Sequence, residues 1–325
     1  MGRRLRRVLG CFAGGLLLLL AGAALTIRRE YRRDPMPLLD LPSGPLRARE
    51  VGSRLGRTAH GESRRFVDLE LEGVPEGPLR ATLSLPERAT GPLPVVLILG
   101  GLEVGRESLG YVETHGPNAL VAFEYPHLDP GPIPFKLRRI RRAALAVPAQ
   151  VCALLAWIHR QPWADPRRVS LLGYSFGAMF VPACARLAQA RGLPLRVLVM
   201  AYGGADLPGL LAANWDRGPR WLRPPLAHAA GALIRPLEPA LHLPFLEGEA
   251  LFLNGLKDER IPLSLARRMR DLKPAPKSIL ELDEGHMDPS RPDLNRRIVA
   301  ASQAWLIERG ALKALEERSR PGGLN

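Results

Sequence analysis

Cysteine is scarce in this chain. Three in 325 residues, Cys11, Cys152 and Cys184, are too few for a disulfide framework, and none has a close Cys or His partner at zinc-ligand spacing. Lysine is scarcer than its partner cation: five lysines stand against 41 arginines. No phosphate loop occurs, and Gly100-Gly101 followed by Gly105 lacks the G-x-G-x-x-G spacing of a dinucleotide fingerprint. RNA-recognition, zinc-finger and basic-zipper patterns are missing too, so the formal charge of +14 does not read as nucleic-acid binding. No cofactor and no metal are expected. With 46% hydrophobic and 24% charged residues the bulk reads as globular, and the length allows a large core without staples.

What is present begins at the N-terminus. Residues 1–34 carry eight arginines against Glu30 and Asp34, a net +6. Between them Val8 to Ile27 is an uncharged apolar stretch of 20 residues, about 30 Å long as a helix and therefore bilayer-spanning. Ala21-Gly22-Ala23 offers an A-x-A-like cleavage site. The run is nevertheless longer than a usual signal core and arginines follow it, so an uncleaved single-pass anchor over 1–34 is the expectation. Lipidation at Cys11 is rejected because the apolar run follows that cysteine. Four arginines on each flank leave orientation finely balanced, and an extracytoplasmic location is expected for the domain that follows. Residues 35–64, rich in proline, glycine and charge, read as a linker.

Beyond residue 65 the periodicity changes. Phe66–Leu71 and Leu79–Leu85 alternate apolar with polar residues, as half-exposed antiparallel strands do. Short continuous apolar runs follow at Val95–Leu99, Ala119–Phe123, Val169–Leu172, Leu195–Met200 and Ala250–Leu253, which suit strands buried on both faces. Ser278–Leu282 adds a more mixed strand. Helical stretches lie near 138–160, 176–191, 262–272 and 294–316. This order predicts an α/β domain with a mostly parallel sheet. Residues 205–249 interrupt it with two tryptophans, several leucines and several prolines, and read as a cap of short helices.

Gly173-Tyr174-Ser175-Phe176-Gly177 is a G-x-S-x-G pentapeptide between an apolar strand and a helix-like stretch, the strand–turn–helix setting that lifts a serine onto a strained bend. Asn254-Gly255-Leu256-Lys257-Asp258-Glu259-Arg260-Ile261-Pro262 follows a later strand, and Gly285-His286 follows the last. Of seven histidines only His286 lies downstream of Asp258. The others, His60, His115, His127, His159, His228 and His242, read as surface or lid residues, with His115 and His127 near the mouth. A serine hydroxyl needs a base to become a nucleophile, an imidazole supplies one near neutral pH, and a carboxylate fixes the imidazole's tautomer.

Through Asp165-Pro166-Arg167-Arg168-Val169 leading into the pentapeptide, and through these downstream motifs, the chain resembles the α/β-hydrolase superfamily, in particular its dienelactone-hydrolase and prolyl-oligopeptidase-like branch. The resemblance covers about residues 65–312, leaving 313–325 as a tail. It implies an eight-stranded sheet with Ser175 as nucleophile, Asp258 as acid and His286 as base. It also implies an oxyanion hole from the backbone N–H groups of Phe176 and Leu102. A serine nucleophile disfavours dehalogenase chemistry and cysteine-dependent dienelactone hydrolysis. The expected substrate is a small acyl ester. Acyl transfer, thioester hydrolysis and a non-catalytic binding homologue remain as alternatives. Lys136, Arg138, Arg139, Arg141 and Arg142 concentrate positive charge at a helix start, readable as a solvated face or as a contact with anionic headgroups.

Overall fold

The computed structural model describes residues 34–101, 104–126, 133–215 and 219–315, with Gly22 and Leu25 besides. All of the expected membrane span at 8–27 except Gly22 and Leu25, together with Leu102, His127 and most of the 313–325 tail, lies outside them. A short helical turn, α1 (Met36–Leu39), precedes the sheet. Nine strands follow: β1 (Arg47–Arg57), β2 (Ser63–Glu72), β3 (Leu79–Pro86), β4 (Leu93–Leu99), β5 (Ala119–Glu124), β6 (Ala164–Tyr174), β7 (Val197–Ala201), β8 (Glu249–Gly255) and β9 (Lys277–Leu282). They form one sheet in the order β1-β2-β3-β5-β4-β6-β7-β8-β9. β1, β2, β3 and β5 pair antiparallel, and from β5 onward every pair is parallel.

The inner parallel strands β4 and β7 are apolar and buried because both of their faces are covered, whereas the edge strand β9 is exposed or half-exposed along its length. In β4, Val95, Leu97 and Leu99 point into one apolar cluster while Val96 and Ile98 point into the other. The first cluster is closed by α2 (Ile133–Ile158), α3 (Phe176–Ala190) and α6 (Leu263–Leu272), the second by α7 (Pro292–Glu308). Cys152 and Cys184 are buried in α2 and α3, and burial pushes the Cys152 thiol up to about 12, so neither is poised as a nucleophile. α7 stops at Glu308, short of the expected 316, where Gly310 adopts a left-handed φ of +66° and turns the chain back to bury Leu312.

Two expectations need correction. Among the described residues the sheet has nine strands rather than eight, and the ninth comes from the stretch expected to be a linker. β1 pairs antiparallel with β2 from Arg47↔Glu72 to Arg57↔Ser63, with a bulge between Glu50 and Gly52. Its side chains are exposed or half-exposed along the whole strand, so main-chain pairing rather than an apolar face holds it. Its arginines and its bulge suit an edge that must not recruit a further strand. Residues 205–249 lie between β7 and β8. They form α4 (Leu207–Ala213), α5 (Arg223–Leu233) and, among the described residues, four single 3-10 turns, the prolines keeping each helical piece short.

A third correction concerns His115, which is buried in the fold rather than at the surface or in the lid; His242 lies in the 205–249 insertion, as a lid residue would, and is buried there. His115 Nδ1 lies 2.7 Å from Ser84 Oγ and Nε2 lies 3.1 Å from the Val112 carbonyl. His242 Nε2 lies 2.7 Å from the Pro236 carbonyl, and its Nδ1 meets no partner among the described residues. Burial lowers both to about 4, helped at His115 by the Arg64 guanidinium, against a smaller opposing pull from Glu62. Both rings are therefore neutral in the fold. Since the unfolded chain binds these protons near pH 6.5, stability is full above that pH and falls as the pH drops toward 4. Each site contributes at most about 3 kcal/mol to that loss. Urea unfolding at pH 7.5, 5.5 and 4.5 should show the decline, and a His115→Gln/His242→Gln variant should flatten it. Parallel pH dependences for the two proteins would remove these rings as its cause.

Candidate active site

The ladders of the parallel strands end side by side, at Leu99↔Gly173, Tyr174↔Ala201, Ala201↔Leu253 and Gly255↔Leu282. The loops leaving β4, β6, β8 and β9 therefore gather at one edge, the carboxyl end where open α/β sheets bind ligands. Three of the sequence-predicted residues meet there.

β6 ends at Tyr174 and α3 begins at Phe176, so Ser175 alone makes the turn. Its φ of +51° and ψ of −114° lie where a non-glycine residue is strained. The flanking glycines make the bend possible. A Cβ at 173 would stand 2.6 Å from the Gly177 carbonyl oxygen, and one at 177 would overlap the Leu99 carbonyl oxygen. The Ser175 N–H donates to Ala201 O at 2.9 Å, fixing the bend to β7.

Asp258 is aimed by its own loop. Its Oδ1 accepts the N–H groups of Arg260 and Ile261, each at 2.8 Å, a tight turn that explains the D-x-x-I-P pattern: Ile261 is buried and Pro262 precedes α6. Gly255 lets the 283–286 loop cross closely, since a Cβ there would overlap the Glu284 carbonyl. Leu256 N–H to Leu282 O (2.7 Å) and Lys257 N–H to Glu284 O (3.0 Å) join the two loops.

The result is a continuous hydrogen-bonded series. Ser175 Oγ lies 2.8 Å from His286 Nε2, and His286 Nδ1 lies 2.8 Å and 3.0 Å from the two Asp258 oxygens. The His286 and Asp258 side chains are 3% and 1% exposed, whereas Ser175 opens onto a cavity. With Nδ1–H donating to the carboxylate, Nε2 is left as an acceptor facing the hydroxyl.

Three contributors were not singled out as site residues from the sequence. Glu259 Oε2 accepts the His286 N–H at 2.9 Å, a bond that holds its carboxyl below the usual range. Arg291 Nη1 lies 3.2 Å from Glu259 Oε1 and 3.4 Å from the His286 carbonyl, so the pair grips the histidine main chain from both sides. Gly285 makes room for that grip, because a Cβ would come 2.7 Å from Arg291 Nη1. Tyr202, at φ +59°, packs edge-on to His286 with ring centroids 5.6 Å apart. The only forward signal was the carboxylate adjacent to Asp258; nothing in the sequence marks Arg291 or Tyr202.

Phe176 opens α3, so its N–H has no intrahelical acceptor and sits at the positive end of the helix dipole. Leu102 lies outside the described residues, although Gly100 and Gly101 line the same cavity. Tyr125 ties that loop to the bend, its hydroxyl donating to Gly100 O at 3.0 Å and its ring packing edge-on to Phe176. The cavity is about 470 Å³. Phe176, Met179, Phe180 and Ile140 from the core and Leu207, Leu210, Ile234 and Leu237 from the 205–249 insertion make most of its wall apolar. Among the described residues no three His, Cys, Asp or Glu side chains cluster as metal ligands. His115, expected near the mouth, does not line this cavity.

No protein-family model matches the chain, and no curated protein matches it. Solved structures do. An acetyl xylan esterase from Thermoanaerobacterium sp. JW/SL YS485 superposes with a TM-score of 0.59 at 16% identity, over 82% of this chain and 91% of the other. An acetyl xylan esterase from Paenibacillus sp. R4 gives 0.58 at 18%, over 82% and 92%. A 2,6-dihydroxy-pseudo-oxynicotine hydrolase gives 0.56 at 22%, over 77% and 70%. Identities this low carry architecture rather than activity. With its mostly parallel sheet, flanking helices and serine bend after a central strand, this chain has the α/β-hydrolase fold.

Proposed function

We propose that the chain is a membrane-tethered serine hydrolase that cleaves a carboxylic ester through an acyl-serine intermediate. One observation carries the reading: Ser175 Oγ, His286 Nε2, His286 Nδ1 and Asp258 Oδ2 stand in unbroken hydrogen-bond succession at the floor of an apolar cavity. Ser175 Oγ attacks the acyl carbon while its proton passes to His286 Nε2. The carbonyl π pair moves onto oxygen, where the Phe176 N–H stabilises it, with the Leu102 N–H as the second donor of this proposal. The intermediate collapses by breaking the bond to the leaving oxygen, which takes the proton from Nε2. Water then repeats both steps, with His286 as base and acid, and releases the carboxylic acid. Asp258 holds the tautomer and stabilises the imidazolium formed in between. The tether is the apolar run 8–27, and the catalytic domain faces the extracytoplasmic side.

A fluorophosphonate probe should label the full chain at Ser175, and a panel of acyl esters should show preference for acyl groups long enough to occupy the apolar wall. Labelling that persists in Ser175→Ala would overturn the assignment, and a flat response across chain length would remove the acyl-pocket role.

The Glu259–Arg291 grip yields a finer test. Glu259→Leu removes the acceptor of the His286 N–H and should lower kcat about tenfold with KM little changed, a barrier increase of ~1.4 kcal/mol. Glu259→Gln keeps an acceptor oxygen and should retain most of the rate. Equal loss in both variants would point to charge rather than to the hydrogen bond, and no loss in either would sink the positioning role.

A further inference from the structure

The helix α5 is packed inside out. Its buried residues are small, Ala227 and Gly231, and a Cβ at 231 would come 2.7 Å from Pro208 Cγ, so close approach to α4 is what this face provides. Its leucines point the other way. Leu226 is 43% exposed and Leu233 38%, and Trp221, just before the helix, is 75% exposed. A helix that buries no leucine in its own core leaves apolar surface for something else.

The patch continues onto α2. Arg141 Nε donates to the Leu233 carbonyl at 3.0 Å, which joins the two helices, and Leu137, one turn before Arg141, is 45% exposed. The charge on these two segments has one sign. α2 contains no carboxylate from Ile133 to Ile158, and there is none from Pro219 to Leu237. Arg138 stands exposed beside Leu137, and Arg220 beside Trp221. Arg142, at the rim, is turned to Glu76 instead, at 2.9 Å.

We infer that this face, Arg220–Leu233 with Leu137–Arg141, docks on an anionic lipid bilayer, Trp221 and the leucines entering the acyl boundary while the arginines meet the headgroups. Apolar side chains flanked by cations, on segments without carboxylates, are the complement of that surface. The path of the chain agrees. α1 packs on α2, on α3 and on the turn 235–237 that follows α5. The apolar run ending at Ile27 is separated from Asp34 by six residues, at most about 20 Å of extended chain. Ile140 and Ile234 border the catalytic cavity, so docking turns its mouth toward the lipid. The inference draws on the tether proposed above but not on the chemistry at Ser175.

The full chain, reconstituted into vesicles of brominated phosphatidylcholine with or without about 30 mol% phosphatidylglycerol, tests it by flotation and by tryptophan quenching. Flotation with both vesicle types reads the tether. Docking predicts quenching at least about threefold greater in the anionic vesicles, reversed at ~1 M NaCl where the Debye length is only about 3 Å. The extra quenching should vanish in Trp221→Phe and fall severalfold in Arg138→Glu/Arg220→Glu. Flotation with both vesicle types but equal, salt-insensitive quenching would overturn docking and leave the tether standing. Flotation with neither would overturn both. Extra quenching that survives Trp221→Phe would also reject this face. The salt arm uses the unaltered chain, so the outcome does not depend on a variant that folds poorly.

Discussion

Ser175→Ala and His286→Ala are each expected to lower kcat on an ester substrate by on the order of 10⁴-fold or more, and the double variant should be no slower than the worse single one. The reason is geometric. In the proposed mechanism the hydroxyl and Nε2, 2.8 Å apart, act as one unit, so removing either member would remove the proton transfer that makes the oxygen nucleophilic. Independent contributions would multiply; a shared step is lost only once. Asp258→Asn should cost a similar order, because an amide can present its NH₂ to Nδ1 and favour the tautomer that turns Nε2–H toward the serine. None of these changes should unfold the protein. Alanine at 175 removes one oxygen from a position already at φ +51°, and the bend is held by Gly173, Gly177 and the Ser175 N–H bond to Ala201 O, which alanine keeps. A double variant slower than either single one by the product of their losses would show that Ser175 and His286 do not share a step, and the proposed mechanism would fail.

Much of this site could be read before the fold because its signals are local. The serine pentapeptide encodes its own bend, since the two glycines are those at which a Cβ would strike a neighbouring carbonyl. The D-x-x-I-P pattern encodes its own turn, since the aspartate accepts two of the N–H groups that follow it. The parallel strands were legible because burial on both faces demands uninterrupted apolar residues. β1 was not, because a strand exposed on both sides carries no period-two signal, and Arg47–Arg57 resembles a linker residue by residue. Its identity as a strand resides in the ladder with β2, which is a tertiary fact. His115, His242 and Arg64 escaped for the same reason: a polar side chain becomes core only when distant carbonyls and hydroxyls arrive to satisfy it. The Glu259–Arg291 grip spans 32 positions of sequence and has no periodic or motif signature.

Arg64 gives the largest expected stability change. It sits 1% exposed on β2, and every partner its guanidinium finds is neutral: Nε donates to Ser84 Oγ at 3.1 Å, Nη1 to Gly116 O at 2.7 Å, and Nη2 to Ser84 O at 2.8 Å and Asn118 O at 2.6 Å. Glu62, the nearest carboxylate, is turned to the N–H groups of His115 and Gly116 instead. Burial lowers the guanidinium to about 10, so it keeps its charge at neutral pH and its bonds to carbonyls are charge-assisted. Arg64→Met fills part of the volume but leaves three main-chain carbonyls without this donor, at ~1–3 kcal/mol for each that water cannot reach. Removing the buried charge returns some desolvation free energy, so a net loss of about 4 kcal/mol is expected, a drop of roughly 8–16 °C in Tm for a domain of this size. Arg64→Lys should not rescue it. An ammonium carries three donors on one atom and cannot reach carbonyls of β3 and the 116–118 loop at once, whereas the planar fork reaches both. Thermal melts of the three proteins at neutral pH decide it. A lysine variant as stable as the parent would mean that charge, rather than the fork's geometry, is what this position supplies.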